Sequence, residues 1–129
     1  MSMKKLNNEI LKQMKKIYYP EKCEYIDWMG FKITNENKPS YHHIQKAEVL
    51  RQLNKDDVAT IENGAYLGKK SHELLHIIEN IDIDLYNTWN HLFLLVNKKK
   101  TYPTEDIWNM IYNLKEKSMN LLKENCKKL

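Results

Sequence analysis

Three stretches decide the fold: Tyr41-His42-His43-Ile44, then Glu62-Asn63-Gly64-Ala65-Tyr66-Leu67, then Ser71-His72-Glu73-Leu74-Leu75-His76. The first is β-prone and follows turn chemistry at Asn35-Glu36-Asn37-Lys38-Pro39. The second is a turn dipeptide, Asn63-Gly64, leading into a brief strand, and the third opens a helix. His72 and His76 stand four apart on that helix, so both imidazoles project from one face and can share a metal ion. Four of the chain's five histidines lie in these stretches and only His91 stands outside. Neutral imidazole is the commonest side-chain ligand for zinc-like ions, which makes the clustering the most informative feature of the chain.

Outward from this centre, Tyr25-Ile26-Asp27-Trp28 and Phe31-Lys32-Ile33-Thr34 are also β-prone. They predict a hairpin between Glu24 and Ile44 whose second strand carries the paired histidines. The histidine-bearing helix is expected to start with Ser71 as its cap, to hold Glu73 in its first turn and to run to about Glu79. Residues 45 to 62 are polar, with a short helical turn expected over Ala47–Leu53. Leu6, Ile10, Met14 and Ile17 recur at helical steps and predict an amphipathic N-terminal helix stopped by Pro20. Asp84 precedes Leu85, Trp89, Leu92 and Val96. Pro103-Thr104-Glu105-Asp106 starts a last helix carrying Ile107, Ile111, Leu114, Leu121 and Leu122. These stripes, with Trp89 and Trp108, read as core.

At 129 residues, 42% hydrophobic and 29% charged, the sequence predicts one compact domain over residues 1–129: an N-terminal helix within 1–20, a core over 24–79 and C-terminal helices over 82–125. The net charge of +4 suits a polyanionic partner without demanding one. All basic residues but Arg51 are lysines, and fourteen asparagines accompany them, a bias that fits A/T-rich coding. Cys23 and Cys126 form no C-x-x-C pair, so neither a thiolate zinc knuckle nor a disulfide framework is expected and a reduced cytoplasm is the default. The longest apolar run, Leu92 to Val96, is far short of the ~20 residues a membrane span needs.

Two motifs compete for the same histidines. His72-Glu73-Leu74-Leu75-His76 matches H-E-x-x-H, in which the histidines bind zinc and Glu73 activates water for peptide hydrolysis, with Glu79 or Glu105 open as a third ligand. That reading leaves His42, His43 and Asn63 without a role. Over the longer span the three stretches, in order, resemble the HNH nuclease family with its ββα-metal fold, nearest to the colicin-type domains that use H-H, N and H-x-x-x-H. The resemblance covers about residues 25 to 79 and lacks the two C-x-x-C pairs of many HNH domains.

The resemblance implies an α+β fold, a ββα-metal core flanked by the N-terminal helix and two C-terminal helices. It implies His43 as general base, His42, His72 and His76 as ligands of one divalent ion, and Asn63 as the residue that bonds across the loop. Because neighbouring strand residues point to opposite faces, the roles of His42 and His43 stay interchangeable at this level. A plain left-handed turn is the other reading of Asn63. Three imidazoles favour Zn²⁺, Ni²⁺ or Mn²⁺, although the family often uses Mg²⁺. The expected partner is DNA, with Lys46, Arg51, Lys69 and Lys70 as candidate backbone contacts, a phosphate seat at the helix start, and sequence specificity weak or supplied by a partner protein. A non-catalytic metal- or DNA-binding module is the remaining alternative.

Overall fold

The computed structural model describes residues 3–46 and 60–127. Its elements are α1 (Met3–Tyr18), β1 (Pro39–His43), β2 (Gly64–Gly68), α2 (Lys69–Ile81), α3 (Ile83–Lys99) and α4 (Glu105–Lys127). The fold is α+β: β1 and β2 form a two-stranded antiparallel sheet, with Tyr41 opposite Tyr66 and His43 opposite Gly64, and helices pack around it. The expected helical turn over Ala47–Leu53, and Arg51 with it, lies outside the described residues.

The hairpin expected between Glu24 and Ile44 does not form, and the histidine-bearing strand pairs instead with residues 64–68. Upstream, only the isolated bridges Ile26–Lys32 and Thr34–Asn37 occur. Asp27 is the cause. Its buried Oδ1 accepts from the backbone N–H groups of Met29 and Phe31, both at 3.0 Å, folding 27–31 into a tight loop. Gly30 takes the left-handed φ of +86° that this loop requires, a conformation costly for a residue with a Cβ. One backbone bond, Trp28 N–H to Tyr66 O at 3.1 Å, ties the loop to β2.

The same carboxylate sets where α2 begins. Asp27 Oδ2 accepts from Gly68 N at 2.8 Å, Lys38 O from Lys69 N at 2.8 Å and Asn37 Oδ1 from Lys70 N at 2.9 Å. Acceptors reaching in from the 27–38 loop thus satisfy donors at the helix start that would otherwise need a cap of their own. Helix α2 therefore starts two residues before Ser71, with Gly68 as its extended N-cap. Ser71 is buried inside the first turn, and the helix continues past Glu79 to Ile81.

Packing follows the apolar stripes. Leu11, Met14 and Tyr18 of α1 are buried, while Leu6, Ile10 and Ile17 pack at the margin of the core. In α3, which starts at Ile83 because the Asp82 side chain caps it through Leu85 N at 3.0 Å, Leu85, Trp89, Leu92 and Val96 are all buried. Each such side chain contributes roughly 1.5–3 kcal/mol on full burial. Trp89 donates to Ser118 Oγ of α4 at 2.9 Å, fixing it as a core residue, and Trp108 packs beside Tyr102. Ile107 and Ile111 are buried in α4, but Leu114 and Leu121 only partly, so its C-terminal half is the less covered.

Candidate metal centre

His42, next to last in β1, is 2% exposed, its ring edge-on to Phe93 (centroids 5.7 Å apart) and Tyr86 of α3. One helical turn of α2 separates His72 from His76 and leaves their ring centroids 4.8 Å apart. The strand and the helix bring the three together. One ring nitrogen from each of His42, His72 and His76 lies within 4.8 Å of the others, close enough to hold a metal ion.

Outer hydrogen bonds orient these rings. Asn90 Nδ2 donates to Tyr86 O at 3.2 Å, which turns its Oδ1 toward His42 Nε2 at 2.7 Å. An amide oxygen only accepts, so Nε2 carries the proton and Nδ1 of His42 carries the lone pair. That Nδ1 lies 3.4 Å from His72 Nε2, while His72 Nδ1 lies 2.8 Å from Ser40 Oγ, a hydroxyl able to accept a hydrogen bond from it or donate one to it. With Ser40 accepting from Nδ1–H, the Nε2 lone pair of His72 faces that of His42, an arrangement that favours a cation between them. His76 Nδ1 points to Glu79 Oε1 at 3.4 Å. Each ring has an oxygen partner behind one nitrogen, the pattern that fixes metal-binding imidazoles in one tautomer.

Burial keeps the two inner rings neutral. Desolvation, opposed by the Asn90 bond and reinforced by the neighbouring imidazoles, lowers His42 to about 3. Desolvation and the nearby His76 and His43 rings lower His72 to about 4. Both lone pairs are therefore available at neutral pH, as coordination requires.

His43 ends β1, edge-on to Tyr41 with centroids 4.8 Å apart. It lines the same cavity, of about 340 Å³, as His42, His72, His76, Lys46 and Tyr86. The alternation of the strand thus does not separate the paired histidines: His42 turns into the core and His43 stays on the cavity wall. Asn63 clamps the exit of β1 to the entrance of β2. Its Oδ1 accepts from Gln45 N at 2.8 Å, its Nδ2 donates to Gln45 O at 2.9 Å, and its carbonyl accepts from Ile44 N at 2.9 Å. It is no left-handed turn residue, since Lys100 is the one non-glycine with positive φ among the described residues.

Other expected positions fall elsewhere. Glu79, open as a third ligand, instead pairs with Lys46 at 2.6 Å, and that ammonium holds its carboxyl below the usual range. Glu105 and His91 stand outside the cluster, and Glu73 is exposed and does not line the histidine cavity. Lys69 and Lys70 are exposed at the start of α2, but the helix start is not the phosphate seat expected there, because the N–H groups of Gly68, Lys69 and Lys70 are already bonded. Arg51 lies outside the described residues. Sequence reasoning missed Asn90 and Ser40. For Asn90 a signal existed: Tyr86, Asn90, Phe93 and Asn97 share one helix face, and amides alternating with aromatics imply buried partners.

No family model, curated protein or solved structure matches the chain. Among the described residues, no helix is long and apolar enough to cross a membrane.

Proposed function

We propose that this chain is an HNH-type, metal-dependent endonuclease that hydrolyses DNA phosphodiester bonds. The observation that carries the reading is the convergence of His42 from β1 with His72 and His76 from α2, with His43 on the wall of the same cavity. The order β1, β2, α2 agrees with a ββα-metal core. The donor set is wholly imidazole, which fits Zn²⁺, Ni²⁺ or Mn²⁺ better than Mg²⁺. His42, His72 and His76 would hold the ion, which when bound would supply positive charge for the scissile phosphate and the departing 3′-oxygen. His43 takes the proton of the attacking water, Asn63 holds the chain that carries His43, and Lys46, at the cavity wall, is ion-paired with Glu79.

The peptidase reading needs Glu73 as base, and the exposure of Glu73 away from the histidine cavity tells against it. Single substitutions assayed on supercoiled plasmid with added divalent metal decide the matter. His43→Ala is expected to abolish cleavage while keeping metal affinity near wild type, His76→Ala to lose both, and Glu73→Ala to retain cleavage. Casein hydrolysis that needs Glu73, with plasmid untouched, would establish the peptidase instead. Metal retention with neither activity would leave a binding module.

A further inference from the structure

Lys69, a candidate backbone contact, meets three further lysines in one groove. It has a volume of about 910 Å³ and is lined by Lys12 and Lys15 of α1, Lys38 just before β1 and Lys69 at the start of α2. Two site histidines, His43 and His72, also line it, so it opens onto the candidate metal centre. Among the described residues that line it, none carries a carboxylate, and among the described residues none of the four lysines is in an ion pair. The lysine-rich composition alone does not produce this: a second cavity, on the Lys46 side, mixes Lys46 with Glu62 and Glu79, and a third, between α3 and α4, holds Asp82, Glu116 and Glu124.

We propose that the groove between α1 and β1 is the track for one strand of the DNA backbone, gripped through its phosphates by Lys12, Lys15, Lys38 and Lys69 and delivered to His43. This rests on the nuclease reading for its substrate but on separate residues for its contacts. Two observations fix the mode of binding. Lys15 Nζ sits 4.7 Å from the centroid of the Tyr25 ring, so the ammonium already covers the aromatic face on which a base would stack. The Tyr25 hydroxyl is likewise engaged, by the Tyr66 hydroxyl. The four ammonium groups therefore offer point charges to phosphates, a grip independent of sequence, with Asn7 and Asn8 the amides along the same wall. Helix α1, outside the ββα unit, becomes part of the substrate-binding surface.

The test is fluorescence anisotropy with a fluorescein-labelled 20-base-pair duplex and metal-loaded protein carrying His43→Ala to prevent turnover. Four phosphate contacts predict a slope of log K against log salt of about −3.6, and Lys12→Ala with Lys15→Ala should bring it to about −1.8. The same pair should weaken binding at least tenfold at 50 mM salt, and Lys38→Ala with Lys69→Ala should do likewise, so that misfolding of one variant cannot mimic the result. Lys117→Ala with Lys123→Ala on α4, an equal change in net charge, should stay within twofold, as should duplexes of unrelated sequence. Groove pairs no weaker than the α4 pair, no binding by the parent protein, or a tenfold dependence on sequence would each overturn the inference. Plasmid cleavage by the protein with His43 intact separates the two readings. Cleavage that persists in both groove pairs sinks the track and spares the nuclease, whereas groove-dependent binding without cleavage sinks the nuclease and spares the track.

Discussion

Acidifying the metal-free protein should destabilise it through His42. The ring is 2% exposed, packed between aromatic side chains and held neutral, with burial lowering it from 6.5 to about 3. In the unfolded chain the same imidazole takes its proton near 6.5. Since the folded value is the lower one, the unfolded state binds the proton first. Stability is complete above about pH 6.5 and is lost progressively as pH falls toward 3. Each pH unit in that window is worth about 1.4 kcal/mol, so passing from pH 7 to pH 5 should remove about 2 kcal/mol. At about 4 °C per kcal/mol for a chain of this length, Tm should fall by roughly 8 °C. His72, lowered to about 4 by burial and by His76 and His43, acts in the same direction. The assay is thermal unfolding by circular dichroism in chelator, comparing wild type with His42→Phe, which keeps an aromatic ring beside Phe93 and Tyr86 and does not titrate. Carboxylates titrate alike in both proteins, so the difference between their pH profiles reads His42 together with its coupling to His72, 3.4 Å away. Parallel profiles would falsify the assignment. A divalent ion, which binds only the unprotonated rings, should move the onset of the loss to lower pH.

Asn90→Ala should leave the fold intact and weaken metal binding by about 10–100-fold, measured by competition with a chromophoric chelator; unchanged affinity would mean that Asn90 does not orient His42. Asp27→Ala strips the acceptor from three backbone N–H groups, each costing about 1–3 kcal/mol if left unsatisfied. A loss of at least about 3 kcal/mol, or roughly 12 °C in Tm, is expected for that variant. A thermal shift under about 4 °C in the same experiment would show that water replaces the carboxylate.

What the sequence made legible was periodic. The 3.6-residue stripes located α1, α3 and α4, and the four-residue step between His72 and His76 put two candidate ligands on one face. Pairing of strands has no such local trace: residues 25–34 are as β-prone as residues 40–44, yet a single buried carboxylate, Asp27, turns the former into a loop and leaves β2 as the partner of β1. The start of α2 was misplaced for the same reason, since its N–H partners come from Asp27, Asn37 and Lys38, more than thirty residues upstream. The convergence of His42 with the helix pair could be anticipated only through family resemblance. Nothing in the spacing between 42 and 72 specifies it, and the oxygens of Asn90 and Ser40 that orient the rings belong to different elements.

A metal ion bound by His42 and His72 would tie together residues 30 positions apart in the chain. In the unfolded state the same tie would close a large loop, and by analogy with a cross-link of that span the lost chain entropy is worth about 3.5 kcal/mol. That term grows only with the logarithm of the span, each doubling adding about 0.6 kcal/mol. The chain between the end of β1 at His43 and the start of β2 at Gly64 could therefore be lengthened considerably at small thermodynamic cost to the centre, provided the Asn63 clamp on Gln45 is kept. The connection between the strands is thus a place where length can vary in evolution while the ligand geometry, fixed by the sheet register and by one turn of α2, does not.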